Sequence, residues 1–426
     1  MPKIMVSVFC ITYNQVNYIR DTLEGFVSQK TNFPFEVIIF DDASNDGTSD
    51  IVREYEKKYP ELIHPIIAKK NTFFHPNRNE MIWGIERRYL RGKYVAYCEG
   101  DDYWIDCHKL QIQVDYMEKH PECSLYLHNA LRMDCMEKTL KPIDPYDGEE
   151  EKDVFAEELI MFRKGHPPTA SFMHRKELIE YPKLFRESSV GDYTMLLYAI
   201  TQGSVHYNSR IMSIYRWLSV GSYNREVMNN LNRAFYFYVG LVDFLFRYDN
   251  YTNYKYHIWN LCMMQIHITQ IIYKCIKHKP SYEYITSCKA EGILIPERYV
   301  RYFEEFERIK KQTFEMTYVS EQTREFIMRH RNVVVMGIGK YGTIVASQLN
   351  NNNISFAGFS VTKRVERNTY MDKPVWELSQ LIQEMDDVGV LIGINPESWD
   401  DIIKSLADAK IKNYYCPFLM DERNII

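Results

Sequence analysis

Residues 94–106 read YVAYCEGDDYWID. An apolar run of strand character, 94–98, stops on Glu99, Gly100, Asp101 and Asp102, and aromatic residues resume at Tyr103 and Trp104. A buried strand that ends on three carboxylates has two readings. The acids cap a polar turn, or they hold a hard cation, which prefers oxygen ligands and leaves room for phosphate oxygens and water. This stretch alone does not choose between them.

The segments before it have the same construction. Residues 4–11 (IMVSVFCI) and 35–40 (FEVIIF) read as buried strands. Between them, Ile19, Leu23, Phe26 and Val27 recur at helical spacing within 16–29. A helix over 51–59, a strand over 63–70 and a helix over 79–92, ended by Gly92, continue the alternation. Alternating strands and helices predict a mostly parallel α/β sheet with helices on both faces. In such sheets ligands bind beyond the carboxyl ends of the strands. Three polar clusters, TYNQ (12–15), DDASNDGT (41–48) and EGDD (99–102), all fall at strand ends of that kind.

Further on, 108–122 reads as a helix and 123–133 as a strand. The acidic run DPYDGEEEKD (144–153) reads as a solvated loop. HPPTASFMH (166–174) resumes strand material, and VGDYTMLLYAITQGS (190–204) opens a helix at Asp192. Residues 225–330 read as helical without glycine punctuation, and a new strand–turn–helix series starts at 332. The expected parts are therefore 1–224, 225–330 and 331–426.

Composition narrows the class. The 426 residues are 46% hydrophobic and 26% charged, ordinary for a globular chain with ample core material. A net charge of −5 without a basic block argues against nucleic-acid partners. Nine cysteines, odd in number and without a CxxC pair, suit a reducing compartment. No apolar run reaches the length of a membrane span, and the N-terminus lacks the pattern of a signal peptide, so a cytoplasmic location is expected, with peripheral contact to the inner membrane face left open. The 33 tyrosines and 22 phenylalanines, dense over 223–303, either fill helix cores or form a surface for an acceptor, a membrane, a partner or a second copy of the chain.

The segments VSVFCITYNQVNYIRDTLEGFVSQ, VIIFDDASNDGTSDIVREY and GKYVAYCEGDDYWIDCHKLQIQVDYM together resemble glycosyltransferase family 2, of inverting GT-A fold, over roughly the first 220 residues. That resemblance implies a nucleotide-diphospho-sugar transferase fold, a UDP-sugar donor, a Mn²⁺ or Mg²⁺ cofactor and a glycan, lipid-linked or protein acceptor in bacterial surface glycan synthesis. It also implies roles. Thr12, Tyr13, Asn14, Asp41 and Asp42 would line the nucleotide, with Asp42 on the base. EGDD would be the DXD-type signature, with Asp101 toward the ribose or sugar and Asp102 on the metal. Sugar transfer also needs a base for the acceptor hydroxyl, across the sugar from the metal. Asp192, in the GD before an apolar helix, matches the family's base; by residue type alone it is an N-cap. His166, Thr169 and Ser171 would line the acceptor side, and Arg216 would pair with the diphosphate. The family's YRxH pattern departs here, with Leu218 in place of histidine. Tyr103 and Trp104 either stack on a sugar or fill core.

In 333–349 a strand, Gly337-x-Gly339-x-x-Gly342 and a helix form a dinucleotide-type fingerprint in its usual context. The second strand then lacks a carboxylate until Glu366, so nicotinamide use is poorly supported. This segment resembles small Rossmann-like domains attached to bacterial sugar-modifying enzymes. Three readings stand: a structural or oligomerising module, a nucleotide or sugar-nucleotide site, or a nicotinamide-dependent sugar oxidoreductase. A non-catalytic sugar-nucleotide-binding protein is the alternative for the whole chain.

Overall fold

Val6–Thr12 (β1) is apolar almost throughout and buried almost throughout, as a strand covered on both faces of a parallel sheet requires. Beside it run β2 (Phe35–Asp41), β3 (Ile63–Ile67) and β4 (Tyr94–Tyr97), all parallel in the order β3-β2-β1-β4. The computed structural model describes residues 3–73, 75, 78–161, 167–188, 190–271, 275, 280–293, 295–317, 319–363, 368–394, 398–415 and 417. His166 and Glu366 lie outside the described residues.

The chain divides into two units. The first comprises residues 1–240, 247–256 and 292–294, and the second the remainder. Residues 225–330, the expected helical part, are distributed over both units.

The sheet of the first unit continues through β5 (Tyr103–Trp104), β6 (Cys123–Asp134), β7 (Thr139–Pro142), β8 (Glu151–Val154), β9 (Met173–Arg175) and β10 (Ser204–Trp217). Its order is β3-β2-β1-β4-β9-β6-β10-β5, with β7 on β6 and β8 on β10. The helices α1 (Ile19–Val27), α2 (Thr48–Lys58), α3 (Arg78–Tyr89) and α4 (Lys109–Lys119) follow the predicted alternation. β1 and β4 are neighbours, so the turns after them meet.

Two segments differ from the sequence reading. The end of the acidic run is β8, antiparallel to β10, rather than loop. Its charges are matched locally: Lys152 Nζ lies 2.7 Å from Glu158, and Asn208 donates to Glu151 at 2.6 Å, while Val154 is buried. Of the stretch 166–174, residues Thr169–Ser171 form one 3₁₀ turn and only β9 pairs, antiparallel, with β4 and β6.

In the second unit, strands β11 (Asn332–Met336), β12 (Gly358–Val361), β13 (Thr369–Tyr370), β14 (Lys373–Glu377), β15 (Val388–Ile392) and β16 (Tyr414–Tyr415) form a mixed sheet in the order β13-β14-β12-β11-β15-β16. All neighbours are parallel except β13 and β14. Many aromatic residues of the helical segment are core, including Phe244, Tyr299, Tyr302 and Phe303. Tyr254 and Tyr282 are exposed. No helix among the described residues is long and apolar enough to cross a membrane.

One side chain of the first unit has a direct stability consequence. Lys109, at the start of α4, is fully buried, with Nζ 4.1 Å from the Trp104 ring centroid and 2.7 Å from Gln113 Oε1. Burial pulls its amine down to about 7 from the ordinary 10.5. Between those values the unfolded chain holds a proton that the folded chain has released, so stability rises with pH across that window. Urea unfolding of Lys109→Met is expected to show that slope abolished and stability at neutral pH raised by about 1–4 kcal/mol.

Candidate active site

The turn after β1 and the turn after β2 are tied together by their own side chains. Asn14, in the left-handed region (φ 50°), donates its N–H to Ser44 Oγ at 2.9 Å and accepts from Asn45 N–H at 2.9 Å. The N–H of Gln15 reaches Thr48 Oγ1 at 2.8 Å, and that of Val16 reaches Asp46 at 3.0 Å. Thr12 is 1% exposed and gives its hydroxyl to Gln15 Oε1 at 2.7 Å. Of the expected nucleotide set, Tyr13 alone presents a largely exposed ring.

Asp41 is occupied in this framework. One carboxylate oxygen accepts from Ser44 N–H at 2.9 Å and the other from the Ser49 hydroxyl. Asp41 thereby braces its own loop. Asp42 commits Oδ1 to Thr72 N–H at 2.7 Å. Arg78, which sequence reading missed, lies within electrostatic reach of Asp42, and its Nε is buried without a hydrogen-bond partner. An isolated arginine at a helix start carries no sequence signal; only the fold brings it to Asp42.

Gly100 joins the third cluster to the first. Its N–H donates to Ile11 O at 3.0 Å, and a Cβ there would stand 2.6 Å from Thr12 Oγ1. Only glycine permits that approach. The EGDD carboxylates then divide. Asp102 is 1% exposed, its Oδ1 accepts from Arg216 N–H at 2.8 Å, and its carbonyl accepts from the Thr22 hydroxyl at 2.6 Å. Asp101 accepts from Ser219 Oγ at 2.6 Å, and Glu99 is partly exposed. Asp102 is thus the more deeply buried of the two aspartates. Glu99 and Asp101 are the oxygen donors nearer the surface, and a hard divalent cation suits that donor set.

Asp192 comes to the same place from a distant helix, Gly191–Gln202. Burial pushes the Glu99 carboxyl up to about 8, reinforced by the charges of Asp101 and Asp192. Burial also raises the Tyr215 hydroxyl well above its usual range, with Asp102, Asp192, Glu99 and Asp101 all adding to it. Asp192 and the EGDD carboxylates, far apart in the sequence, thus all lie within electrostatic reach of Tyr215. Asp192 Oδ1 accepts its neighbour's N–H, from Tyr193, at 2.7 Å. Thr169 supports Glu99 by a side-chain hydrogen bond. Ser171 is fully buried, so it offers nothing to an acceptor in this state.

Arg216 is 7% exposed and paired with Asp21 and with the Asp101 carbonyl. Trp104 is core: it packs on Phe26 at 4.9 Å between ring centroids and donates Nε1–H to Ala170 O at 2.9 Å. Leu218 occupies the missing-histidine position with φ 58° and is buried. Asp106, Cys107 and His108 place three ligand-type atoms within 4.8 Å. Asp106, however, accepts from His108 N–H and Arg210 Nε, as a turn before α4 would require.

In the second unit, Gly337 has φ 104°, and a Cβ on Gly342 would lie 2.0 Å from Gly337 O. Gly337 and Gly342 are thus explained by close packing of the loop. A Cβ on Gly339, at the N-cap of the helix Lys340–Asn351, would meet nothing within 4 Å.

Residues 7–161 match Glycosyl transferase family 2. The chain is 46% identical over 123 residues to an uncharacterized protein of Mycobacterium bovis, covering 29% of this chain and 34% of that protein. It is 38% identical over 115 residues to a Bacillus subtilis protein named as a teichuronic acid biosynthesis glycosyltransferase, TuaG, covering 27% and 42%. The chain thus spans well under half the length of these curated relatives. In fold it is similar to TarS residues 1–349 of S. aureus, solved in complex with UDP-GlcNAc, at a TM-score of 0.50 and 15% identity over 82% of this chain and 89% of that one. The motifs, the strand-end site and the family match agree: the N-terminal region of this chain is a glycosyl transferase family 2 domain.

Proposed function

We propose that the first unit is an inverting, metal-dependent glycosyltransferase that moves a sugar from a UDP-sugar to a glycan, lipid-linked or protein acceptor in bacterial surface glycan synthesis. The observation that carries this reading is that Asp192, from a distant helix, lies within electrostatic reach of Glu99 beside Asp101, because displacement at an anomeric carbon needs a base on one side and charge stabilisation on the other. The relation to a protein named for teichuronic acid biosynthesis supports the surface-glycan class.

In this reading Asp192 accepts the acceptor hydroxyl's proton. Glu99 and Asp101, rather than Asp102, hold the cation. A bound Mn²⁺ or Mg²⁺ would neutralise the charge that develops on the leaving diphosphate. Asp42 and Arg78 pair a carboxylate acceptor with a guanidinium donor, which matches the imide edge of uracil; Tyr13 offers a ring face beside them. Guanine also places a donor beside an acceptor, so UDP and GDP must be compared directly.

Residues 331–426 are read as a Rossmann-like module. Leaving β13 aside, its strands stand in the third-second-first-fourth-fifth order of a doubly wound sheet without its sixth strand, which supports that reading. Since Gly337 and Gly342 serve packing, only Gly339 bears on a nucleotide there.

A panel of nucleotide sugars assayed for hydrolysis and transfer with Mn²⁺ tests the function. Asp192→Asn is expected to lower turnover by about 10²–10⁴-fold while UDP binding stays within a few-fold of wild type. Wild-type rates in that variant would remove Asp192 as the base. Chelation is expected to abolish nucleotide release, with Mn²⁺ restoring it; Asp101→Asn should need more Mn²⁺ than Asp102→Asn for half-maximal rate. Arg78→Ala is expected to weaken UDP binding by roughly tenfold, the loss of one charged hydrogen bond. An unchanged UDP affinity would exclude Arg78 from the base site.

A further inference from the structure

The last residues of β10 grip the acidic turn from behind. Arg216 does so with three groups at once. Its N–H donates to Asp102 Oδ1 at 2.8 Å, Nη1 donates to the Asp101 carbonyl at 2.7 Å, and Nη2 pairs with the Asp21 carboxylate. The guanidinium carbon lies 4.4 Å from the Tyr103 ring centroid and 5.1 Å from that of Tyr18. Next to it, Ser219 Oγ donates to Asp101 Oδ2 at 2.6 Å, and Val220 N–H reaches the Tyr18 hydroxyl at 3.3 Å.

We propose that Asp21 and Arg216 are a positioning pair that fixes the Asp101–Asp102 turn in its donor-receiving shape, and that Arg216 is not itself a donor ligand. The functional half of this inference rests on the reading of the first unit as a donor-binding domain; the bracing half does not. An arginine fork is rigid and planar, so its donors act together. Here two of its three nitrogens are committed, and aromatic rings lie against it. To reach a diphosphate it would have to leave Asp21, both rings and the Asp101 carbonyl.

Asp21 decides which of these it does. It lies in the first turn of α1 with a side chain 55% exposed, and among exposed groups an ion pair is worth little. Its partner is 7% exposed, however, and a buried guanidinium stripped of its carboxylate is left undercompensated. Asp21 therefore anchors the far end of the fork while the near end shapes the turn. Support of this kind commonly governs how well a site takes its metal.

The full-length chain with Asp21→Asn, and Asp21→Glu as the conservative control, tests both halves. Hydrogen exchange of the amides in 99–104 is expected to quicken roughly tenfold in Asp21→Asn and to stay near wild type in Asp21→Glu. The thermal midpoint is expected to fall in Asp21→Asn and to stay near wild type in Asp21→Glu. Unchanged exchange in Asp21→Asn overturns the bracing. Calorimetry with UDP and Mn²⁺ is expected to show about tenfold weaker binding in Asp21→Asn, restored in Asp21→Glu. Tighter UDP binding in Asp21→Asn would overturn the proposal, because a released Arg216 would then be reaching the diphosphate. Unchanged binding alongside faster exchange would also overturn the positioning role. If the wild-type chain binds no UDP with Mn²⁺, the donor-domain reading fails, and exchange still decides the pair.

Discussion

Three carboxylates held together at the end of one buried strand are the constraint on which the rest of the first unit turns. Glu99, Asp101 and Asp102 follow β4 directly, and burial raises each carboxyl from its ordinary value, with mutual repulsion adding to the rise in Glu99 and Asp102. Such a cluster persists only where donors and cations surround it. Arg216, Thr22 and Ser219 supply them from β10, α1 and the loop after β10. The order of strands is what delivers these groups, since β1 flanks β4 and the end of β10 reaches the acidic turn.

The same constraint separates residues that look equivalent in the sequence. Asp101 and Asp102 are adjacent, yet one leans toward Ser219 and the surface and the other is a buried brace. Asp41 and Asp42 divide likewise: Asp41 spends both oxygens on its own loop, and Asp42 faces Arg78. In each pair the backbone alternates direction, so neighbouring side chains meet different surroundings. Sequence reading assigned the members of both pairs only through the family resemblance, with Asp42 on the base, Asp101 toward the ribose or sugar and Asp102 on the metal. It also gave Arg216 to the diphosphate, from the resemblance and the fit of a guanidinium to phosphate, and the fold sets that guanidinium against the Tyr18 and Tyr103 rings.

Much of the fold was legible because its signals are local. Apolar runs closed by turn residues marked β1, β2 and β4, and helical spacing marked α1. The misses were non-local. β8 is a charged segment that pairs only because β10 lies beside it, and the short β9 depends on its neighbours β4 and β6. The Tyr-rich stretch was periodic enough to read as helix, while its division between two units follows from long-range packing.

By itself, the sequence determined the strand–helix alternation, the three polar strand ends and the glycine loop at 337–342, with Asp192 named as a base only by resemblance. These depend on residue type and short spacing, which survive without a structure. Only the tertiary structure decided that Asp192 shares an electrostatic environment with Glu99, that Arg78 belongs with Asp42, and that Gly337 and Gly342 are packing glycines. Each of these is a relation between side chains or backbone segments whose distance depends on the folded path of the chain. Burial and charge act through that distance, and a linear pattern does not contain it.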